Sequence, residues 1–208
     1  MHQQTQQLIV AAIILAAGAS SRMGRPKQLL DWGGQPLIRI VAEQALAARL
    51  DPVLVVVGNA GDAVAAALAG LRLRTIANPA YAEGQSTSLR AGIAALGPKV
   101  DAAMVLLGDQ PFVTPALIDQ IVALWRTTGA AIVAPRYRGQ RGNPVLFARA
   151  VFPELLAISG DQGARGVLAA DPTRIHYVPI DDPRPFVDID TPDDYMRLLT
   201  DRRMTSDE

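Results

Sequence analysis

The strongest constraint on the fold is a recurring run of apolar, often β-branched residues that ends abruptly at a glycine or a polar loop. Residues 8–17, 53–57, 73–77 and 102–107 are four such runs, with helical segments between them. Nearly continuous apolar strands suit a parallel sheet covered by helices on both faces. Pro36 opens a helix to about residue 50, with Leu37, Ile38, Val41, Ala45 and Ala48 along one side. Further helices are expected over 62–68, from a Ser86 or Thr87 cap to about 96, and from a Thr114 cap with Pro115 in its first turn to about 127. Beyond residue 130 come a strand at 131–134, a basic glycine-containing turn at 137–143, and a returning strand at 145–147. Helical pieces near 149–157 and 163–170, a strand at 174–180, an extended piece at 186–189 and a helix from Pro192 to about 199 complete the pattern. Strand–helix alternation throughout predicts an α/β fold: one doubly wound, mostly parallel, Rossmann-like sheet with helices on both faces. A single domain over 8–200 is expected between polar tails at 1–7 and 201–208, with 135–190 as its more irregular, second-substrate-facing part.

Aromatic residues make up only 5%, so the core is aliphatic. Lys plus Arg and Asp plus Glu both number 20, and this balance removes the global basic field of a nucleic-acid binder. There is no cysteine, which excludes a disulfide framework, a thiolate metal site and a cysteine nucleophile. The N-terminus lacks the cationic start and cleavage site of a signal peptide, and the run at 8–17 is about half the length of a membrane span. The expectation is a soluble, cytoplasmic protein with no nucleic-acid or membrane partner.

Ligands of doubly wound sheets sit beyond the carboxyl ends of the strands. The first such end, running from Ile14 through Leu15-Ala16-Ala17-Gly18 to Leu30, carries Arg22, Arg25 and Lys27 and no acid between Gly18 and Leu30. Glycine backbone and fixed cations suit an anion, above all a polyphosphate. Neither Gly-x-Gly-x-x-Gly nor Gly-x-x-x-x-Gly-Lys-Ser/Thr is present here, which argues against a dinucleotide site and a P-loop. Asp109 follows the apolar run at 102–107 directly and could hold a divalent cation, or simply cap the turn before Pro111. Asp188 and Asp190 alternate with Val187 and Ile189, so an extended segment points both carboxylates one way; Asp190 or Thr191 could equally cap the Pro192 helix. Residues 83–90 supply polar side chains able to read a base or ribose, or merely a capped helix start. The loops at 139–144 and 160–165 could contact a second substrate or serve as structural turns. His2 and His176 are the only histidines, so a histidine-driven mechanism is not expected. Phosphoryl or nucleotidyl transfer, which needs cations, metal and alignment, remains.

Leu15-Ala16-Ala17-Gly18-x-Ser20-x-Arg22-Met23-Gly24-x-Pro26-Lys27-x-Leu29-Leu30 resembles the signature loop of sugar-nucleotide-type nucleotidyltransferases. With Asn78-Pro79, Glu83-Gly84, Ser86-x-Ser88-Leu89, Gly108-Asp109-Gln110-Pro111 and Val187-Asp188-Ile189-Asp190-Thr191-Pro192, the chain from about 13 to 199 resembles the molybdenum cofactor cytidylyltransferase family. The resemblance implies the nucleotide-diphospho-sugar transferase (GT-A type) fold, CTP and molybdopterin as substrates, Mg²⁺ as cofactor, and a molybdenum hydroxylase-type enzyme as recipient of the product. It implies that Arg22 and Lys27 neutralise the β- and γ-phosphates and the leaving pyrophosphate. Leu15, Ala16, Ala17, Gly18, Ser20, Ser86 and Ser88 would lie along the nucleotide, and Asp109 with Asp188 or Asp190 would hold the metal. Asn143, Asp161 and Arg165 would face the second substrate. Cytidylyl members resemble Leu-Ala-Ala-Gly where guanylyl relatives usually show Leu-Ala-Gly-Gly, so Ala17 points to cytidine. The family pattern often has histidine where this chain has Asn143, a departure within the second-substrate turn. Rival readings are a reductase of a quinone-like pigment of the nicotine-blue type, an escort that carries the cofactor without turnover, and another cytidylyltransferase.

Overall fold

The computed structural model describes residues 8–18, 20 and 23–206, with backbone alone for 201–206. The expectations for the tail at 1–7 and for Arg22 lie outside the described residues. Among the described residues eight strands form one sheet: β1 (Val10–Ala16), β2 (Val53–Val57), β3 (Arg74–Ala77), β4 (Ala102–Leu107), β5 (Ile132–Tyr137), β6 (Gln140–Arg141), β7 (Val145–Ala148) and β8 (Ile175–Pro179). β3, β2, β1 and β4 run parallel in that order, and β5 pairs parallel with β8. Between these groups, β7 is antiparallel to both β4 and β5. β6 is also antiparallel to β5, across from β8: Arg136 pairs with Arg141 on one side and Pro179 on the other. Gly142 N–H donates to Pro135 O at 3.0 Å, so β6 continues the column begun by β7. The expected mostly parallel, doubly wound sheet is present.

Side-chain alternation along β1 builds two cores. Val10, Ala12, Ile14 and Ala16 face α1 (Leu37–Ala47) and α4 (Pro115–Thr128), meeting Ile38, Val41, Ile118 and Ile121. Ala11 and Ile13 face α3 (Gln85–Ala94) and α5 (Phe152–Ala157), meeting Leu89, Ile93, Phe152 and Leu155. The short helices α2 (Gly61–Ala67) and α6 (Arg165–Ala170) add Val64 to the first core and Val167 and Leu168 to the second. A third cluster joins Met23, Leu30, Trp32 and Leu37 to Ile189, Tyr195 and Leu198 near the opposite end of the chain. It packs the signature loop against α7 (Pro192–Ser206). The last helix therefore runs on past residue 199, into the segment expected to be a polar tail. Thr191 and Asp194 start it as a reciprocal cap: Asp194 Oδ2 accepts from Thr191 N–H at 3.1 Å, and Asp194 N–H donates to Thr191 Oγ1 at 3.2 Å.

Thr114 caps α4 as expected, its hydroxyl accepting from Leu117 N–H at 3.3 Å with Pro115 opening the helix. α3 begins differently from expectation. Gly84 precedes its first residue, and Ser86 and Thr87 already lie within the first turn. The cap comes from far along the chain, because Gln85 N–H donates to Asp161 Oδ1 at 3.0 Å. Ser86 N–H also donates to Gly160 O at 3.3 Å and Ser86 Oγ to Ser159 O at 3.1 Å.

Candidate active site

The register of β1 against β4 sets the site. Leu15 pairs with Leu107, so the residues after each strand, Ala17-Gly18 and Gly108-Asp109, emerge side by side. Gly108 N–H donates to Leu15 O at 3.0 Å and continues the pairing for one more residue. A cavity of about 960 Å³ opens above these ends. Its walls are the loops at 81–89, 140–143, 161–165 and 186–190.

The signature loop is folded onto itself by its own polar groups. Ser20 adopts a left-handed backbone, φ +53°, and its hydroxyl accepts from Lys27 N–H at 3.1 Å. Gln28, 2% exposed, donates from Nε2 to Gly18 O at 3.3 Å. These contacts turn the chain so that Lys27 points back into the cavity. Its ammonium donates to Asp109 Oδ2 and, at 2.9 Å, to Asp190 Oδ1. Burial alone would lower the Lys27 pKa, but the charges and hydrogen bonds of Asp109 and Asp190 outweigh it and raise the value.

Asp188 lies beside this pair in the cavity wall. Its Oδ1 accepts from Gln110 Nε2 at 2.7 Å. Burial, then the negative charge of Asp109, pushes the Asp188 carboxyl above its ordinary range, against the opposing effect of the Gln110 bond. Gln110 Oε1 is itself buried, with no hydrogen-bond partner among the described residues. Asp188 and Asp190 both face the cavity, while Val187 and Ile189 turn into the cluster around Trp32. The alternation read in the sequence is realised, and Ile189 N–H, donating to Asp109 O at 3.4 Å, ties the segment to the β4 tip. The capping role goes to Thr191, which leaves the Asp190 carboxylate with Lys27.

Of the other residues named from the sequence, Leu15, Ala17, Gly18, Ser88, Asn143, Asp161 and Arg165 line the cavity. Ala16 is core, facing α1. Ser20 acts through Lys27 rather than from the wall. Ser86 is fully buried with its hydroxyl given to Ser159 O, so the expected side-chain contact with a nucleoside is not open to it here. Ser88 is oriented by Asn78, whose Nδ2 donates to both Ser88 Oγ and Thr87 Oγ1 at 2.9 Å. Arg25 is exposed, its guanidinium 5.7 Å from the Tyr195 ring centroid. Gln28, Gln110, Gln85 and Arg141 also line the cavity; all four fall within segments named from the sequence, but none of the four was given a role of its own. The signal available for the first two was a glutamine within an apolar or turn-forming run beside a charged site residue.

Residues 12–175 match the model of the MobA-like NTP transferase domain. The chain belongs to this family. Nicotine blue oxidoreductase of Paenarthrobacter nicotinovorans is 30% identical over 198 residues, spanning 91% of this chain and 96% of that protein. The molybdenum cofactor cytidylyltransferase of Escherichia coli K12 is 29% identical over 189 residues, spanning 90% and 94%. The crystal structure of Rv0371c from Mycobacterium tuberculosis H37Rv superposes with a TM-score of 0.83 at 32% identity, over 93% of this chain and 98% of that one. A manganese complex of the same protein superposes at 0.76. The architecture is that of the nucleotide-diphospho-sugar transferases, and family membership makes an enzyme of the nucleotidyltransferase superfamily. Asp188 and Asp190 lie beyond the matched segment, so the family match does not include two of the carboxylates that close the cavity.

Proposed function

We propose that this protein is a divalent-metal-dependent nucleotidyltransferase that moves CMP from CTP to the phosphate of molybdopterin and releases pyrophosphate. The observation that carries the reading is the Lys27 ammonium held by Asp109 and Asp190, in the cavity that Gly18 and Asp188 also line. A cation donor and a carboxylate pair in one pocket are what a triphosphate and its metal require.

Asp109 and Asp188 would hold the metal. The fit rests on hard carboxylate oxygens, on an Asp188 whose ionisation is opposed by burial and by the charge of Asp109, and on a Gln110 Oε1 with no partner among the described residues. Mg²⁺ is the cation proposed, and the manganese complex of Rv0371c supports a divalent ion in a relative. When bound, such an ion supplies charge neutralisation at a phosphate under attack. The chain's own residues do the rest. Backbone after β1 lies along the triphosphate, and Lys27, with Arg22 from the same loop, covers the β- and γ-oxygens. Ala17 and the Asn78-oriented Ser88 hydroxyl bound the cytidine end. A molybdopterin phosphate oxygen attacks the α-phosphorus in line; a new P–O bond forms as the α–β bridging P–O bond breaks, and its electron pair leaves with pyrophosphate. The attacking phosphate is already anionic, so no general base is needed. Removing one preorganised charge contact in such a site typically costs about 10²–10³-fold in rate. A cytoplasmic location and a molybdenum hydroxylase-type recipient are part of the same proposal.

The nicotine blue oxidoreductase relative favours a second reading, reduction of a quinone-like pigment by NAD(P)H. A pyrophosphate-release screen of all four nucleoside triphosphates, with and without molybdopterin, separates the two. Release with CTP plus molybdopterin alone is expected. NAD(P)H oxidation with no pyrophosphate from any triphosphate would replace the proposal by the second reading. Asp109→Ala should abolish turnover while the circular dichroism spectrum is retained; near-normal turnover would remove Asp109 from the metal site.

A further inference from the structure

The wall of the cavity formed by β6 and α6 carries two cations that the triphosphate does not need. Arg141, half-buried on β6, and Arg165, exposed at the first position of α6, both line it. Among the described residues neither guanidinium has a carboxylate within 4.0 Å, a state they share with several arginines elsewhere on the surface. The hydrogen bond of Arg141 is a long one, Nη1 to Gly142 O at 3.5 Å. Burial, with a smaller contribution from the charge of Arg165, holds Arg141 below its ordinary pKa, against the opposing influence of Tyr177. The cavity also carries the carboxylates of Glu83, Asp109, Asp161, Asp188 and Asp190, but among the described residues none is paired with these two guanidiniums, and a bound anion would relieve the repulsion between the two.

The position is built. A Cβ on Gly142 would lie 2.0 Å from the Phe186 ring, so the ring packs directly on bare backbone next to Arg141. Phe186 in turn meets Tyr137 edge-on, with centroids 6.4 Å apart. Pairing of Arg141 with Arg136 fixes the other side. The loop before Arg165 is held as well: Asp161 caps α3, and a Cβ on Gly163 would sit 2.6 Å from Gln85 Oε1. β6 continues the β7 column, two strands away from β1 across β4. At about 4.8 Å per strand, the backbone of that column stands roughly 10 Å from that of β1, so Arg141 enters the cavity from the wall across β4 from the loop that carries Lys27.

We infer that Arg141 and Arg165 form a second anion subsite, which takes an anionic group of the acceptor substrate, a phosphate monoester or a group of like charge. Assigning the anion to the acceptor rests on the nucleotidyl-transfer reading; the subsite itself does not. Specificity for an anionic acceptor would then reside in this pair, and Lys27 would serve the triphosphate.

Inorganic phosphate, titrated onto the protein and followed by ³¹P line width, tests the subsite without any substrate. Two classes of site are expected, one lost in Lys27→Met and the other in Arg141→Met or Arg165→Met. Arg165 is exposed, so Arg165→Met supplies the answer even where Arg141→Met fails to fold. If both Arg variants keep the full phosphate binding of the wild type, the inference is overturned, whatever the nucleotide. A second arm measures CTP and molybdopterin binding by calorimetry. Each Arg→Met change should weaken molybdopterin about 10–100-fold, as expected for loss of a charged hydrogen bond, and CTP less than twofold. Equal weakening of both ligands would overturn the acceptor assignment. Failure of the wild type to bind either would sink the functional proposal and leave the phosphate result standing.

Discussion

Gly84→Ala is the substitution whose cost can be worked most fully from the structure. Gly84 has φ +118° and ψ +167°, a region open essentially to glycine alone. Forcing alanine there costs about 1–3 kcal/mol in backbone strain. The added Cβ would also lie 2.6 Å from Gly160 O and 2.8 Å from Asp161 Cα, and both of these are backbone atoms that cannot rotate away. The 159–161 segment must then withdraw from α3 and give up the bonds of Ser86 N–H, Ser86 Oγ and Gln85 N–H described above. At about 1 kcal/mol each these add roughly 3 kcal/mol. The smaller unfolded-state entropy of alanine returns about 0.4–1 kcal/mol. The net loss is of order 3–5 kcal/mol, or a melting point lower by roughly 10 °C for a chain of this size. Gly97→Ala is the control, since no atom of the described residues lies within 4 Å of its added Cβ and its backbone is not left-handed. Differential scanning calorimetry of the two variants decides the matter. A Gly84→Ala melting point within about 2 °C of wild type would mean that the loop at 159–161 is not seated on α3 in solution, and the reasoning would fail.

Folding opposes ionisation of Asp188, because its carboxyl is raised above the ordinary range by burial and by Asp109. Its unfavourable contribution is therefore absent below the ordinary carboxylate pKa and grows as pH climbs through the raised value. Asp188→Asn should gain stability relative to wild type as pH rises above the ordinary carboxylate range, in urea titrations with chelator present; parallel pH curves for the two proteins would contradict this. Lys27→Met should weaken CTP about 10–100-fold in calorimetry and CMP far less, since the lost charged contact is to the outer phosphates. Equal losses for the two ligands would remove Lys27 from the triphosphate.

Local chemistry was readable where local chemistry decides. The runs that became β1, β2 and β4 are apolar enough to be buried on both faces, and Thr114-Pro115 carries the α4 start within two residues. Val187-Asp188-Ile189-Asp190 gave its two faces by alternation alone, because an extended segment leaves no other arrangement. What could not be read depends on partners distant in sequence. α3 is capped by Asp161, 76 residues away, and nothing near Ser86 signals that its hydroxyl will be used by Ser159. α7 outlasts its expected end, and the part of it that could be argued, Tyr195 and Leu198, is held by Trp32 and Leu30. Arg141 looked like one more basic turn residue until the Phe186 ring fixed its backbone beside the cavity.

The contact of Lys27 with Asp190 joins residues 163 positions apart. A chain leaving the ribosome has its loop after β1 long before the carboxylate that completes it, so the pocket is among the last features to assemble. Triphosphate held across that junction would tie the first strand to the last helix. Its binding energy would then add to the stability of the whole domain by mass action and leave little for any half of it alone. Proteolysis of the apo and CTP-bound forms would therefore be expected to slow throughout the chain together.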